Sequence, residues 1–111
     1  MVIHGATRDE PAVAGQQACF AKDLVTSAET PALSTHRLRM EPGGEFTSHV
    51  HERQTEMQFV ISGHGQAQMG DKWESVGEGD VVLALPGVAH AWRNSSSAPL
   101  LVLCVFTPPL V

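Results

Sequence analysis

Short apolar segments recur along the chain from Leu33 to the C-terminus, each of roughly four to seven residues. A turn occurs roughly every 7 to 12 residues in this region, a spacing typical of an all-β sandwich or barrel. Gly or Pro interrupts every window of about eleven residues in which a helical apolar pattern would have to appear. We therefore predict an all-β fold. The turn-forming residues are Pro42–Gly44, Ser62–Gly63, Gly70–Asp71, Gly77–Asp80, Pro86–Gly87 and Asn94–Pro99.

The chain is 111 residues long, which is the usual size of a single domain. Residues 1–30 show no clear periodicity apart from the apolar cluster Ala18–Val25, and we expect them to form an arm or an edge strand. Residues 31–111 contain the recurring apolar segments and form the predicted barrel domain. The pair Gly70–Asp71 is predicted to close a hairpin between the segments on either side of it.

Composition argues against several classes of protein. Seven Lys and Arg against 12 Asp and Glu give a net charge of −5, which disfavours binding to nucleic acid. No run approaches the roughly 18 apolar residues of a membrane span, and no secretory pattern is present, so we expect a soluble, cytoplasmic protein. Cys19 and Cys104 form no Cys-x-x-Cys pair, which argues against a disulfide framework and a thiolate zinc site.

Histidines are concentrated in one part of the sequence. Four of the six lie between His36 and His64, and a single residue separates His49 from His51. On a β-strand, residues i and i+2 project from the same face roughly 6.5 to 7 Å apart, so two imidazoles at this spacing converge on one ion. The pair alone is weak evidence, since chance gives about 0.3 such pairs in a chain of this composition.

The residues around this pair make a stronger pattern. The segment Gly43–Gly63 resembles the first motif of the cupins, G-x5-H-x-H-x(3,4)-E-x6-G, at every defined position. The segment Gly79–Asn94 resembles the second, G-x5-P-x-G-x2-H-x3-N, except that Leu85 stands where proline is expected and Pro86 follows it. The resemblance implies a double-stranded β-helix, or jelly-roll barrel, with one divalent metal ion in its mouth. The ligands that the resemblance implies are His49, His51, Glu56 and His90.

The chemistry of this donor set agrees with the resemblance. Three imidazoles and a carboxylate suit divalent Fe, Mn, Ni, Co or Zn, and the composition of the shell does not select among them. If the ion is octahedral, four protein ligands leave two positions open to water, dioxygen or a chelating substrate. The remaining histidines fit no ligand position, and we expect surface or strand roles for them: His4, His36 and His64.

Alternation along the strands predicts which side chains surround the ion. Counted from the four ligands, it places three further residues on the inward face: Thr47, Gln58 and Trp92. Gln58 is then a buried amide, bonded either to a substrate group or metal-bound water or to a neighbouring strand. Trp92 forms either the apolar wall of a substrate pocket or part of the core.

The side chains of Leu38 and Met40 alternate with those of Arg37 and Arg39, so only one pair faces the barrel interior. We expect the apolar pair inside. The reverse phase would place an arginine in the mouth and imply an anionic substrate.

One outward face of the predicted barrel is itself apolar, with Met57, Phe59 and Ile61 in a row. A sheet that is apolar on both faces usually covers one of them with another sheet or subunit. We therefore expect a homodimer, in which the N-terminal arm is a candidate for strand exchange.

Two functions compete. In the first, the chain is a metal-dependent enzyme acting on a diol, enol, hydroxy acid or sugar acid by dioxygenase, isomerase or lyase chemistry. Because Glu56 is an implied ligand and no other carboxylate is placed inside, a metal-bound hydroxide is favoured as the general base. In the second, the barrel is a non-catalytic module that binds a small molecule or a metal as a sensor or accessory subunit. The presence of all four ligand types favours catalysis.

Overall fold

The computed structural model describes all 111 residues and forms one eight-stranded β-sheet without an α-helix. This confirms the predicted all-β class. A single 3-10 turn covers Gly5–Thr7. The strands are β1 (Gln17–Val25), β2 (Ser34–His49), β3 (Thr55–Ser62), β4 (His64–Met69), β5 (Lys72–Gly77), β6 (Val81–Ala84), β7 (His90–Arg93) and β8 (Leu100–Thr107).

Strand order in the sheet is β5-β4-β7-β2-β8-β3-β6, and β1 pairs with β2 beside this path. All pairs are antiparallel, and many join strands far apart in the sequence. The 16-residue strand β2 is central, because residues 34–40 pair with β8 while residues 45–49 pair with β7. The sheet curls around its apolar face, as the predicted jelly roll requires. Hairpin β4–β5 turns at Gly70–Asp71, as predicted.

The core lies on the inward face of this curled sheet. Alternate residues of β8 are almost fully buried: Leu100, Val102, Cys104 and Phe106. Leu38 and Met40 of β2 pack into the same cluster, with at most 3% of their surface exposed. The apolar pair is therefore inside, as expected, because burial of hydrocarbon is favourable while burial of an unpaired guanidinium is costly.

The two arginines of β2 lie on the outer face. Arg37 and Arg39 reach the carboxylate of Glu10 at 2.5 and 2.8 Å, and Arg39 also pairs with Glu41. Glu10 belongs to the N-terminal segment, so this network ties that segment to the outside of the sheet. Neither guanidinium enters the barrel.

The N-terminal segment contributes the edge strand β1, which pairs with β2 from Gln17 to Val25 of the same chain. Its apolar cluster Ala18–Val25 thus lies entirely within one strand. The domain boundary near residue 30 and the exchange of a strand between subunits stay predictions. The chain has no helix long and apolar enough to cross a membrane.

Candidate metal centre

Three strands and one loop bring the four implied ligands together. His49 is the last residue of β2 and His51 lies in the loop that follows. Glu56 is the second residue of β3, and His90 is the first residue of β7. One nitrogen or oxygen atom from each of the four lies within 4.8 Å of the others. The structure thus assembles a group able to bind a metal ion.

The distances within this group fit a common cation. His90 Nε2 and His51 Nε2 lie 3.0 and 3.4 Å from the same oxygen, Oε1 of Glu56. Ligand atoms bound at about 2.1 Å to one ion lie about 3.0 Å apart at right angles and about 3.4 Å apart in a tetrahedron. The observed separations fall in this range.

Two of the imidazoles are oriented by backbone carbonyls. Nδ1 of His49 lies 2.9 Å from the carbonyl oxygen of Thr47, and Nδ1 of His90 lies 3.0 Å from that of Val88. When Nδ1 carries the proton and donates it to a carbonyl, Nε2 keeps its lone pair for a metal ion. This arrangement is the usual support of a metal-binding histidine, and the donor set therefore fits a divalent cation.

The electrostatics of the group agree with its proposed role. Burial lowers the pKa of His49 and of His51, which keeps both imidazoles neutral. Burial also opposes charge on His90, but hydrogen bonds to Glu56 and the Val88 carbonyl outweigh it and raise the pKa. For Glu56, burial alone would raise the pKa, yet hydrogen bonds with His90 and Gln58 hold it below its usual value. A proton on His90 and a metal ion therefore compete for the same lone pair.

Gln58 makes its hydrogen bonds within the protein, to Glu56 of its own strand and to Trp92 of β7, which does not adjoin β3 in the sheet. Its Nε2 donates to Oε2 of Glu56 at 2.8 Å, and its Oε1 accepts from Nε1 of Trp92 at 2.9 Å. All three side chains are at most 3% exposed. Both polar atoms of the Gln58 amide are thus bonded to protein groups. The amide orients the Glu56 carboxylate so that the other carboxylate oxygen, Oε1, faces His51 and His90.

A cavity of about 90 Å³, or about 400 Å³ when the open space at its mouth is included, is lined by three of the four ligands: His49, His51 and Glu56. Gln58 and Trp92 line it, as the alternation predicts. Most of the remaining wall is apolar, and no lysine or arginine contributes to it. The lining residues are His36, Leu38, Phe46, His49, His51, Glu56, Gln58, Trp92, Cys104, Phe106 and Leu110.

Thr47 does not line this cavity, contrary to the alternation argument. The pairing of β2 with β7 shifts by one residue between Phe46 and His49, which marks a β-bulge. The bulge reverses the phase, so Phe46 faces inward and Thr47 is exposed beside a second, shallower pocket. A regular strand was assumed in the sequence argument, and nothing in the pattern marked the extra residue.

His36 is the residue that the sequence argument missed. It was expected to have only a surface or strand role, yet it lines the cavity, and its ring packs at a tilt against that of Phe106, with centroids 5.2 Å apart. The signal was present, because His36 follows the same alternation as Leu38 and Met40. His4 and His64 are exposed, as expected.

Comparison with known proteins identifies the family. The sequence model described as the cupin domain matches residues 36–106, which is well over half of the chain. The chain belongs to the cupin family. Two curated relatives are longer proteins. Mannose-1-phosphate guanylyltransferase of Escherichia coli is 28% identical over 75 residues, which cover 68% of this chain and 16% of that protein. Germin-like protein 5-1 of Oryza sativa subsp. japonica is 31% identical over 86 residues, which cover 73% of this chain and 39% of that protein. The chain therefore spans well under half the length of either relative.

Solved structures show the same cupin fold along nearly the whole chain. A predicted oxalate decarboxylase from Thermotoga maritima superposes with a TM-score of 0.88 at 21% identity, covering 97% of this chain and 99% of that one. A Klebsiella pneumoniae protein with a double-stranded β-helix domain superposes with a TM-score of 0.80 at 23% identity, covering 98% of this chain and 90% of that one. The polyketide cyclase RemF from Streptomyces resistomycificus has a TM-score of 0.86 at 18% identity, covering 96% of this chain and 78% of that one. These likenesses confirm the predicted double-stranded β-helix, and at such identities they establish the fold alone.

Proposed function

We propose that this cupin is a metal-dependent enzyme that acts on a small oxygen-rich molecule by dioxygenase, isomerase or lyase chemistry. The observation that carries the proposal is the meeting of His49, His51, Glu56 and His90, of which the first three line a cavity that opens to solvent. A structural metal site would be closed, whereas this group can be reached from outside.

The proposed ligands would hold one divalent ion of Fe, Mn, Ni, Co or Zn per chain. Such an ion acts as a Lewis acid that lowers the pKa of a substrate hydroxyl or enol and stabilises the developing oxyanion. The protein contributes a rigid donor set, because backbone carbonyls orient His49 and His90 and Gln58 orients Glu56.

Proton transfer in the cavity is restricted by the shortage of carboxylates. Glu56 is the only acidic residue that lines the cavity, and it belongs to the donor set. A general base therefore has to come from solvent or from an imidazole rather than from a free Asp or Glu. The apolar wall, which includes Phe106 and Leu110, leaves few hydrogen-bonding groups beside the donor set.

Metal analysis of protein purified without a His-tag tests the proposal. We expect about one equivalent of a divalent ion per chain, and we expect chelation to lower the melting temperature. An ion present at about 100 times its Kd contributes about 2.7 kcal/mol of stability, which corresponds to a shift of about 10 °C for a domain of this size. Absence of both the metal and the shift would overturn the proposal.

Two variants separate the metal site from the fold. His51→Ala should abolish metal binding while the far-ultraviolet circular dichroism spectrum stays that of a β-barrel. His64→Ala is the matched control, because His64 is exposed on β4 and lies outside the donor set. Global unfolding of His51→Ala would show that His51 supports the core instead. Metal binding without turnover on catechols, enols, diketones, hydroxy acids and sugar acids would favour a non-catalytic module.

The proposal includes a homodimer in a cytoplasmic setting. Exposed apolar residues cover the outer face of β3 and β6, and a second copy of the chain is the proposed cover. Cys19 and Cys104 are buried free thiols, which supports a reducing compartment. The proposed partners are thus a small molecule and a second copy, with no nucleic acid or membrane.

A further inference from the structure

His36 presents an unpaired polar group to the cavity. It lies on β2 opposite Cys104 of β8, and neither of its ring nitrogens has a hydrogen-bond partner in the protein. Two other polar side chains of the cavity wall are engaged with protein groups: Gln58 with Glu56 and Trp92, and His49 with the Thr47 carbonyl. His51 belongs to the proposed donor set, so His36 is the unpaired imidazole outside that set. A partly buried imidazole without a partner is available to a ligand.

The position of His36 relative to the proposed metal ligands is suited to a bound molecule. A ring nitrogen of His36 lies within 4.8 Å of both a Glu56 oxygen and the Cys104 sulfur. The ring is held against Phe106, which also contacts His51 with ring centroids 5.2 Å apart. A molecule that reaches the donor set is therefore within reach of His36 as well.

The charge and polarity of the cavity limit what such a molecule can be. No lysine or arginine lines the cavity, and Arg37 and Arg39, the two arginines of β2, are paired with Glu10 on the outer face. A carboxylate away from the metal would be desolvated without a cation to pair with. Around His36 the wall is apolar, since it includes Leu38, Phe106 and Leu110.

We propose that His36 is a specificity-determining residue that hydrogen-bonds one oxygen of a chelating enol or catechol, whose apolar body packs on Leu38 and Phe106. The inference rests on the proposed metal-dependent function and narrows it. Among the diols, enols, hydroxy acids and sugar acids, the cavity selects molecules whose negative charge is confined to the oxygens at the ion. Dicarboxylates and polyols are disfavoured, because the wall has neither a cation nor enough hydrogen-bonding groups for them.

The test uses cobalt(II)-loaded protein and 4-nitrocatechol, whose absorbance changes on binding. The variants are His36→Leu, which removes the hydrogen bond, and His36→Gln, which restores a donor and acceptor. His64→Leu is the control for the loss of an exposed histidine. Calorimetric titration with cobalt(II) comes first, and all three variants should bind it within about twofold of the wild type. Failure of the wild-type chain to bind cobalt(II) would overturn the proposed function itself.

With cobalt(II) binding established, the nitrocatechol titration tests His36. One hydrogen bond corresponds to about a tenfold change in affinity, so His36→Leu should weaken nitrocatechol about tenfold. His36→Gln should recover at least part of the loss, and His64→Leu should match the wild type. Equal affinity of His36→Leu and wild type, or no nitrocatechol binding by the loaded wild type, would overturn the role of His36 with the metal site intact.

Glutarate and glycerol test the charge and polarity argument separately. Glutarate is the dicarboxylate of choice because its carboxylates are too far apart to close a small chelate ring, so one of them lies away from the ion. We expect each compound to bind the cobalt(II) protein at least about tenfold more weakly than nitrocatechol. Glutarate affinity equal to or above that of nitrocatechol would overturn the exclusion of dicarboxylates, and the same result with glycerol would overturn the exclusion of polyols.

Discussion

Gln58 Nε2 donates a 2.8 Å hydrogen bond to Oε2 of Glu56, and this contact leaves Oε1 as the oxygen that faces His51 and His90. The amide is itself fixed by the indole of Trp92. A carboxylate restrained in this way offers one oxygen to an ion rather than two. The buried chain from Trp92 through Gln58 to Glu56 therefore bears on the number of positions that stay open at the metal.

Replacement of Gln58 by Leu should weaken metal binding without removing a ligand. Loss of an outer-shell hydrogen bond typically costs 10- to 100-fold in metal affinity, and we expect a change of about that size for cobalt(II) by calorimetry. Gln68→Leu, on β4 and outside the ligand group, is the matched control. An unchanged affinity in Gln58→Leu would show that Glu56 needs no restraint.

The outer face of β3 and β6 should mediate dimer formation. Five apolar residues on it are 36% to 54% exposed: Met57, Phe59, Ile61, Val81 and Leu83. In a two-fold dimer, Phe59→Glu introduces two like charges into one interface, so we expect the mass measured by light scattering to fall from twice 11.9 kDa to 11.9 kDa. Val111→Glu, which changes an exposed apolar residue elsewhere, should leave the mass unchanged. A monomeric wild type would refute the dimer.

Both cysteines should resist thiol reagents in the folded protein. Burial raises the pKa of Cys19 to about 11 and that of Cys104 well above its usual value, so both thiols stay protonated at pH 8. With Ellman's reagent we expect less than about a tenth of an equivalent to react within an hour. Two equivalents should react in denaturant. Fast reaction of one equivalent in the native protein would show an accessible thiol.

Asn94 should be important for stability and unimportant for metal binding. Its Nδ2 donates to the carbonyls of Met40 and Ala98, and its Oδ1 accepts from the backbone and side chain of Ser96. Asn94→Ala leaves a buried carbonyl unpaired, and we expect a loss of about 2 kcal/mol in the free energy of unfolding, measured in urea. Ser95→Ala, at an exposed neighbour, should change it by less than about 0.5 kcal/mol. Equal stabilities of the two variants would contradict this role.

Much of the fold and of the proposed ligand group could be predicted because it depends on local patterns. Strand β3 alternates as expected, with Glu56, Gln58 and Val60 buried and Met57 and Phe59 exposed. Two-residue periodicity follows directly from strand geometry, so one correctly placed ligand determines the orientation of its neighbours. The two motifs, Gly43–Gly63 and Gly79–Asn94, then linked His90 to the other three proposed ligands, which the fold brings close to it.

The errors came from features that depend on pairing between strands. Thr47 was placed inside because a bulge is a mismatch between β2 and β7, which the sequence of β2 alone does not show. His36 was assigned no site role because it lies outside the motif, although its phase on β2 agrees with that of Leu38. The depth to which the cavity extends beside β8 is likewise a property of the assembled sheet.

The β-bulge in β2 determines which of its side chains face the cavity. His36 lies near one end of this strand and His49 at the other, with the irregular pairing between Phe46 and His49 in between. On a regular strand, residues three positions apart face opposite ways, whereas the extra residue lets Phe46 and His49 both face inward. The same 16 residues in an unbroken ladder would turn one of these two rings to solvent, so the irregularity is what allows a single strand to supply both an apolar wall and a nitrogen donor.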